Sequence, residues 1–203
     1  MNAKWILITL LLIFSLRTWG YGVGPTTYPM LTNKKLLSTE ITGVVSNGKG
    51  LGLQGRYTNK ISSNSIVDMG IGFGGGDRTS RIFANIDYEI FPDYKSQPRI
   101  SAKLGLENAQ EFDRRKNILN FVPTVSKGFN FWGREAFPFL ALPMGISLDK
   151  AANTYETMAA FSFGVNGKVP IEEYAHLTAS FEAQLNLSDS FSALMFAVAF
   201  PID

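Results

Sequence analysis

Apolar and polar residues alternate along most of this chain with a period of two, the repeat of strands with one greasy face and one wet face. From His176 to Ser188, Leu177, Ala179, Phe181, Ala183, Leu185 and Leu187 alternate with His176, Thr178, Ser180, Glu182, Gln184, Asn186 and Ser188. The same parity sets Ile82, Ala84, Ile86, Tyr88 and Ile90 against Arg81, Asn85, Asp87 and Glu89, and Ile100, Ala102, Leu104 and Leu106 against Arg99, Ser101, Lys103 and Glu107. The pattern predicts strands at approximately 35–46, 50–60, 64–74, 80–91, 98–108, 117–129, 137–148, 154–166, 175–188 and 190–200. Clusters of Gly, Asn, Asp and Ser separate them, such as Ser46-Asn-Gly-Lys-Gly50 and Ser188-Asp189-Ser190, so consecutive strands read as hairpins. The longest connection, Asn108 to Asn117, is charged, and Pro123, Pro138 and Pro143 predict bulges in the sixth and seventh strands. The expected fold is all-β, an antiparallel up-and-down barrel of about ten strands with short hairpin loops.

Alternation alone fits both a membrane barrel with an oily exterior and a soluble, lipocalin-like barrel with an oily interior around an apolar ligand. The wet face discriminates between them. Water-exposed sheets carry many lysines and few glycines, whereas the wet positions here hold Gly70, Gly72, Gly105 and Gly164. Hairpin geometry also predicts opposed charges. A first turn centred on Gly48 sets Glu40 opposite Arg56, a second on Ser62 sets Arg56 opposite Asp68, and a fourth on Lys95 sets Asp87 opposite Lys103. A charge belt of Glu40, Arg56, Asp68, Asp87 and Lys103 suits a confined, polar lumen, because unpaired charges away from bulk water are costly.

The greasy face then meets lipid, with Leu177, Phe181, Leu185, Phe196 and Phe200 as lipid-facing residues. Tyr57, Tyr88, Tyr155, Phe161, Phe181 and Phe200 near strand ends, with Phe131, Trp132 and Tyr174 in flanking turns, are expected to form interfacial girdles. In this pattern the chain resembles the small outer-membrane β-barrel proteins of the eight- to ten-stranded class over nearly all of its length beyond residue 22. That class commonly ends in an aromatic strand read by the outer-membrane assembly machinery, and Leu194, Phe196, Val198 and Phe200 look like such a strand. The resemblance implies membrane lipid and that machinery as partners.

The N-terminus agrees with export. Lys4 precedes an uninterrupted apolar run from Trp5 to Leu16, followed by small residues at Thr18, Gly20 and Gly22. This is the layout of a signal peptide cleaved after Gly20 or Gly22. Twelve helical residues rise only about 18 Å, short of a hydrocarbon core of about 30 Å. The expected organisation is a signal peptide over 1–22, an N-terminal extension over 23–34 and a barrel over 35–203, located in the outer membrane. The chain has no cysteine, so neither disulfides nor thiolate metal sites contribute. Without Lys4 and Arg17, the 19 basic residues fall to 17, equal to the 17 acidic ones, which argues against nucleic acid as a partner.

Little catalytic chemistry is visible. His176 is the only histidine, and Glu182, the acid on its strand face, lies about 20 Å away at strand rise. The chain resembles outer-membrane lipid A deacylases in size, but their His-x-Ser-Asn signature is replaced by His176-Leu-Thr-Ala179. Gly74-Gly75-Gly76-Asp77 lacks the following helix and the Lys-Ser/Thr ending of a phosphate loop and reads as a hairpin turn. No enzyme, cofactor or metal is expected. The leading expectation is an integral membrane barrel with a structural, envelope-organising role or a narrow pore for small solutes or ions. A lipid-modifying barrel using His176 and the lipocalin-like barrel are the alternatives. Alternating small and large residues in Ala179, Phe181 and Ala183 suggest a wall that packs as a homo-oligomer.

Overall fold

The computed structural model describes residues 22–46, 50–75, 78–111, 114–131, 134–149 and 152–202. The expected signal peptide, apart from Gly22, lies outside the described residues, as does Trp132. The strands are β1 (Lys35–Val44), β2 (Gly50–Lys60), β3 (Ser65–Gly74), β4 (Arg78–Phe91), β5 (Arg99–Glu111), β6 (Arg114–Ser126), β7 (Phe129–Phe131), β8 (Arg134–Ala141), β9 (Met144–Asp149), β10 (Thr154–Lys168), β11 (Thr178–Ser188) and β12 (Ala193–Ile202). All pairings are antiparallel, and β1 bonds to both β2 and β12, which closes the sheet into a barrel.

Strands β8 and β9 form one stave of this barrel. Ala141 and Met144 face Ser162 and Ala159 on β10, and Thr124 and Phe121 on β6, so the register runs unbroken across Leu142 and Pro143. Pro143 has no N–H for the ladder, and the stave is interrupted there while its carbonyl still accepts from Ala160 N at 2.8 Å. Counted this way, the barrel has ten staves, with β7 a short addition paired to β8.

Three sequence expectations need correction. Residues 108–117 are not a long loop, because β5 and β6 extend to Glu111 and Arg114 and leave a tight hairpin. The ninth expected strand begins at Thr178, not at 175. Before it, a 3-10 turn at Glu172–Tyr174 folds the chain back, Leu177 N bonds to Tyr174 O at 2.9 Å, and Leu177 is 8% exposed instead of facing outward. His176 sits in that exposed turn, off the strand. The longer connections, 92–98 and 169–177, share the barrel end that holds the start of β1 and the end of β12, while the connections at the opposite end are shorter in sequence.

Strand alternation sorts the side chains strictly. On β1, Leu36, Ser38, Glu40, Thr42 and Val44 are buried, while Leu37, Thr39 and Ile41 are exposed. On β12, Ala193, Met195, Ala197 and Ala199 point in, and Leu194, Phe196 and Phe200 point out. Phe181 and Leu185 are about half exposed on the outer face of β11. Among the described residues, outward positions within the strand interiors carry no Asp, Glu, Lys or Arg. The interior is polar, which removes the lipocalin-like alternative with its apolar cavity.

Two inward glycines are required by close approach. Gly70 lies directly opposite Phe83, and Gly164 directly opposite Phe139, so each buried ring lies over a residue without a side chain. A Cβ on Gly164 would come 2.3 Å from Phe181 O and 2.7 Å from the Phe139 ring. Gly164→Ala should therefore cost about 1–3 kcal/mol through overpacking. Gly55→Ala on the open outer wall, where no atom lies within 4 Å, should stay within about 0.5 kcal/mol of the parent. Urea-unfolding midpoints of the detergent-solubilised variants measure this difference.

Candidate functional site

The centre of the barrel holds an ion cluster assembled from inner-face residues of β1, β2, β3, β5 and β11. Arg56 on β2 is 1% exposed and pairs with Glu40 on β1 and Asp68 on β3, each at 3.2 Å. Lys103 on β5 reaches past β4 to Asp68 at 3.1 Å, and Asn85 on β4 donates to the other Asp68 oxygen. Arg56 also lies 5.0 Å from the centre of the Phe83 ring, whose other neighbour is Arg81 at 4.6 Å, so the ring is flanked by two cations. Further ion pairs flank this cluster. Arg81 pairs with Glu107 at 3.1 Å, and Arg99 pairs with Asp87 at 3.0 Å and Glu89 at 2.8 Å.

The five expected belt residues are all buried inside the barrel, but their pairing differs from expectation. The register sets Glu40 opposite Gln54 and Arg56 opposite Ser38 and Gly70, two residues away from the expected alignment. The ion pairs still form because a diagonal neighbour two residues along remains within reach of a long guanidinium arm. Asp87 does lie opposite Lys103, yet they do not pair. Arg99 takes Asp87, and Lys103 turns to Asp68. Glu182 is the member of the cluster that pattern reasoning did not assign to the belt, although its wet-face parity was visible.

The N-terminal extension also belongs to this site. Residues 22–30 enter the lumen from the end where β1 starts and rise to its middle. Arg56 Nη1 donates to Val23 O at 3.4 Å, Arg56 Nη2 to Gly22 O at 3.0 Å, and Lys103 Nζ to Val23 O at 2.6 Å. Val23 N donates to Glu182 Oε2 at 2.7 Å. The 3-10 turn Gly24–Thr27 follows, held by Asn166 Nδ2, which donates to Gly24 O at 3.1 Å and to the Thr27 hydroxyl. Gly24 has φ +70, and a Cβ there would lie 2.5 Å from Arg56 Nη1, so glycine is needed on both counts. Nearer the mouth, Tyr28 meets Phe137 edge-on at 5.5 Å, and Met30 packs on Leu36 and Ala199. Burial raises the Tyr28 phenol above its ordinary pKa, and the Glu135 carboxylate adds to the shift.

The inner face of β12 makes room for this segment by using Ala197 and Ala199 where other strands carry larger residues. What remains open beside Val23 is a cavity of about 40 Å³ bordered by Arg56, Arg81, Asn85, Lys103 and Val122. That is room for a water molecule or two. A shallower space of about 210 Å³ lies at the mouth beside Thr27, Tyr28, Lys60, Glu89 and Arg99. Opposite it, Val44, Phe191, Ala193 and Met195 form an apolar cluster on the inner wall. Among the described residues, no group of His, Asp and Glu could hold a metal ion.

No protein-family model matches the chain, and no curated protein is similar to it. A solved structure from the de novo design of transmembrane β-barrels is similar, with a TM-score of 0.41 and 12% identity, covering 85% of this chain and 98% of that one.

Because Arg56 neutralises two buried carboxylates and holds two carbonyls of the inserted segment, Arg56→Met should destabilise the barrel by about 3–5 kcal/mol. Exposed Arg115→Met should cost less than about 0.5 kcal/mol. Protease should also cut the Arg56→Met variant within residues 22–30 while leaving the parent intact, as read by limited proteolysis and mass spectrometry.

Proposed function

We propose that this chain is an integral outer-membrane β-barrel with a structural, envelope-organising role, acting through its lipid-facing wall while its own N-terminal segment closes the lumen. The observation that carries this reading is an outer face without charge between the strand ends. Ten staves present Leu, Ile, Val, Phe, Met, Ala and Gly outward, with a few uncharged polar residues, and most of the large apolar ones are about half exposed. A continuous apolar girdle of that extent is far larger than the few hundred Å² a soluble monomer exposes. A closed barrel is also one of the two architectures that satisfy every backbone group in lipid. Among the described residues no helix is long and apolar enough to cross a membrane, so any crossing falls to the strands.

Aromatic residues near both barrel ends fit the interfacial girdles of such a barrel. Tyr88, Phe91, Tyr94, Phe129 and Phe131 lie toward the end where β1 starts, and Phe73 and Tyr155 toward the other. The outward aromatic face of β12 supports recognition by the assembly machinery. The inserted segment and the ion cluster favour the structural reading over a pore, because among the described residues they fill the middle of the lumen and leave beside Val23 a cavity of only about 40 Å³. His176 in an exposed turn, its carbonyl accepting from Lys168 Nζ at 3.2 Å, gives the lipid-modifying reading no geometric support.

Extraction, folding-stability and conductance measurements test the proposal. Cell envelopes extracted with alkaline carbonate should retain the protein, and detergent should release it as a species whose gel mobility changes on boiling. Release by aqueous buffer alone would overturn the membrane reading. Leu104→Arg, on the outer wall near mid-strand, should cost about 2–4 kcal/mol of folding stability in bilayers. In planar bilayers the parent should show no steady single-channel steps, and regular steps would replace the structural role with the pore.

A further inference from the structure

The ion cluster is one positive charge short among the described residues. Glu40, Asp68 and Glu182 supply three carboxylates, while Arg56 and Lys103 supply two cations. Arg81 and Arg99 do not fill the gap, since each is committed to its own carboxylate partners. Two carboxylate oxygens, Glu40 Oε1 and Glu182 Oε1, are buried without a hydrogen-bond partner, and both residues are 2% exposed. An orphaned acceptor of this kind is costly, and more so when charged.

Both carboxylates converge on the peptide between Gly22 and Val23. Val23 N lies 2.7 Å from Glu182 Oε2, and a Cβ placed on Gly22 would lie 2.9 Å from Glu40 Oε1. We propose that cleavage between Gly22 and Val23 delivers the α-ammonium of Val23 into this cluster as its missing cation. A leader peptidase of the export route hydrolyses the bond with water. The C–N bond breaks, Gly22 leaves with the new carboxylate, and the amine freed on Val23 takes up a proton. Gly20 and Gly22 supply the small residues such a peptidase requires.

The two orphaned oxygens then have donors to match. An amide offers one N–H, already given to Glu182 Oε2, whereas an ammonium offers three, and the two additional ones match the two orphaned oxygens. Departure of Gly22 removes one acceptor of Arg56, which keeps Val23 O through Nη1, and vacates the space against Glu40.

This inference rests on the reading of the chain as an exported membrane barrel, which the carbonate and detergent extraction tests separately. The intact mass of protein purified from membranes should correspond to residues 23–203. A mass beginning at Tyr21, or at Met1, would overturn the assignment while leaving the membrane reading standing. The charge is tested by refolding chain 23–203 in detergent with a free or an acetylated amine. Acetylation should lower the folding equilibrium constant by about 10- to 100-fold, the range for hydrogen bonds to charged groups. In Glu182→Gln, or in Glu40→Gln if the first does not refold, the loss should shrink to less than about threefold. Equal stability of the free and acetylated chains would overturn the proposal and mean that a carboxylate of the cluster is held neutral.

Discussion

The guanidinium of Arg56 sits near the barrel axis with almost no access to water, and its charge must be met from within. Glu40 and Asp68 meet it from the neighbouring strands, and the carbonyls of Gly22 and Val23 meet it from the inserted segment. One side chain thus couples three staves of the wall to the material that fills the lumen. Removing any partner leaves a buried charge unmatched, so the barrel, its register and its occupied interior depend on one another.

That constraint explains the division of the two faces. With every ionised group of the strand interiors drawn inward, the outer wall is free of charge between the strand ends, which suits lipid. The same inward crowding leaves little room for a passage. Phe83 and Phe139 lie over Gly70 and Gly164, and the inserted segment occupies the space that alanines on β12 leave open. An apolar wall and a crowded lumen are what the proposed structural role draws on.

Much of this was legible in the sequence, because a two-residue period assigns a face to every strand position. Glu40, Arg56, Asp68, Asp87 and Lys103 share the wet parity, and Phe181, Leu185, Phe196 and Phe200 the greasy one. Register was less accessible. Glu40 opposite Gln54 and Arg56 opposite Gly70 depend on turns around residue 47 and residue 63, where glycine, asparagine and serine permit several alignments. A slip of two preserves every face, so the opposite charges still meet inside the lumen. Leu177 failed for a different reason, since the alternation continues past the point where the 3-10 turn takes over the backbone hydrogen bonds. The insertion of residues 22–30 left no periodic trace, and the unmatched carboxylates beside it become visible only in three dimensions.

The chain contains no cysteine, so single cysteines carry a spin label at chosen positions without background. Labels at Leu104 and Phe196 on the outer wall, and at Thr58 on the inner face, report directly which side meets lipid. In reconstituted bilayers, the outer labels should collide readily with dissolved oxygen and scarcely with a water-soluble nickel chelate, while the inner label should be shielded from both. Free access of the nickel chelate to Leu104 and Phe196 would contradict the account at its base.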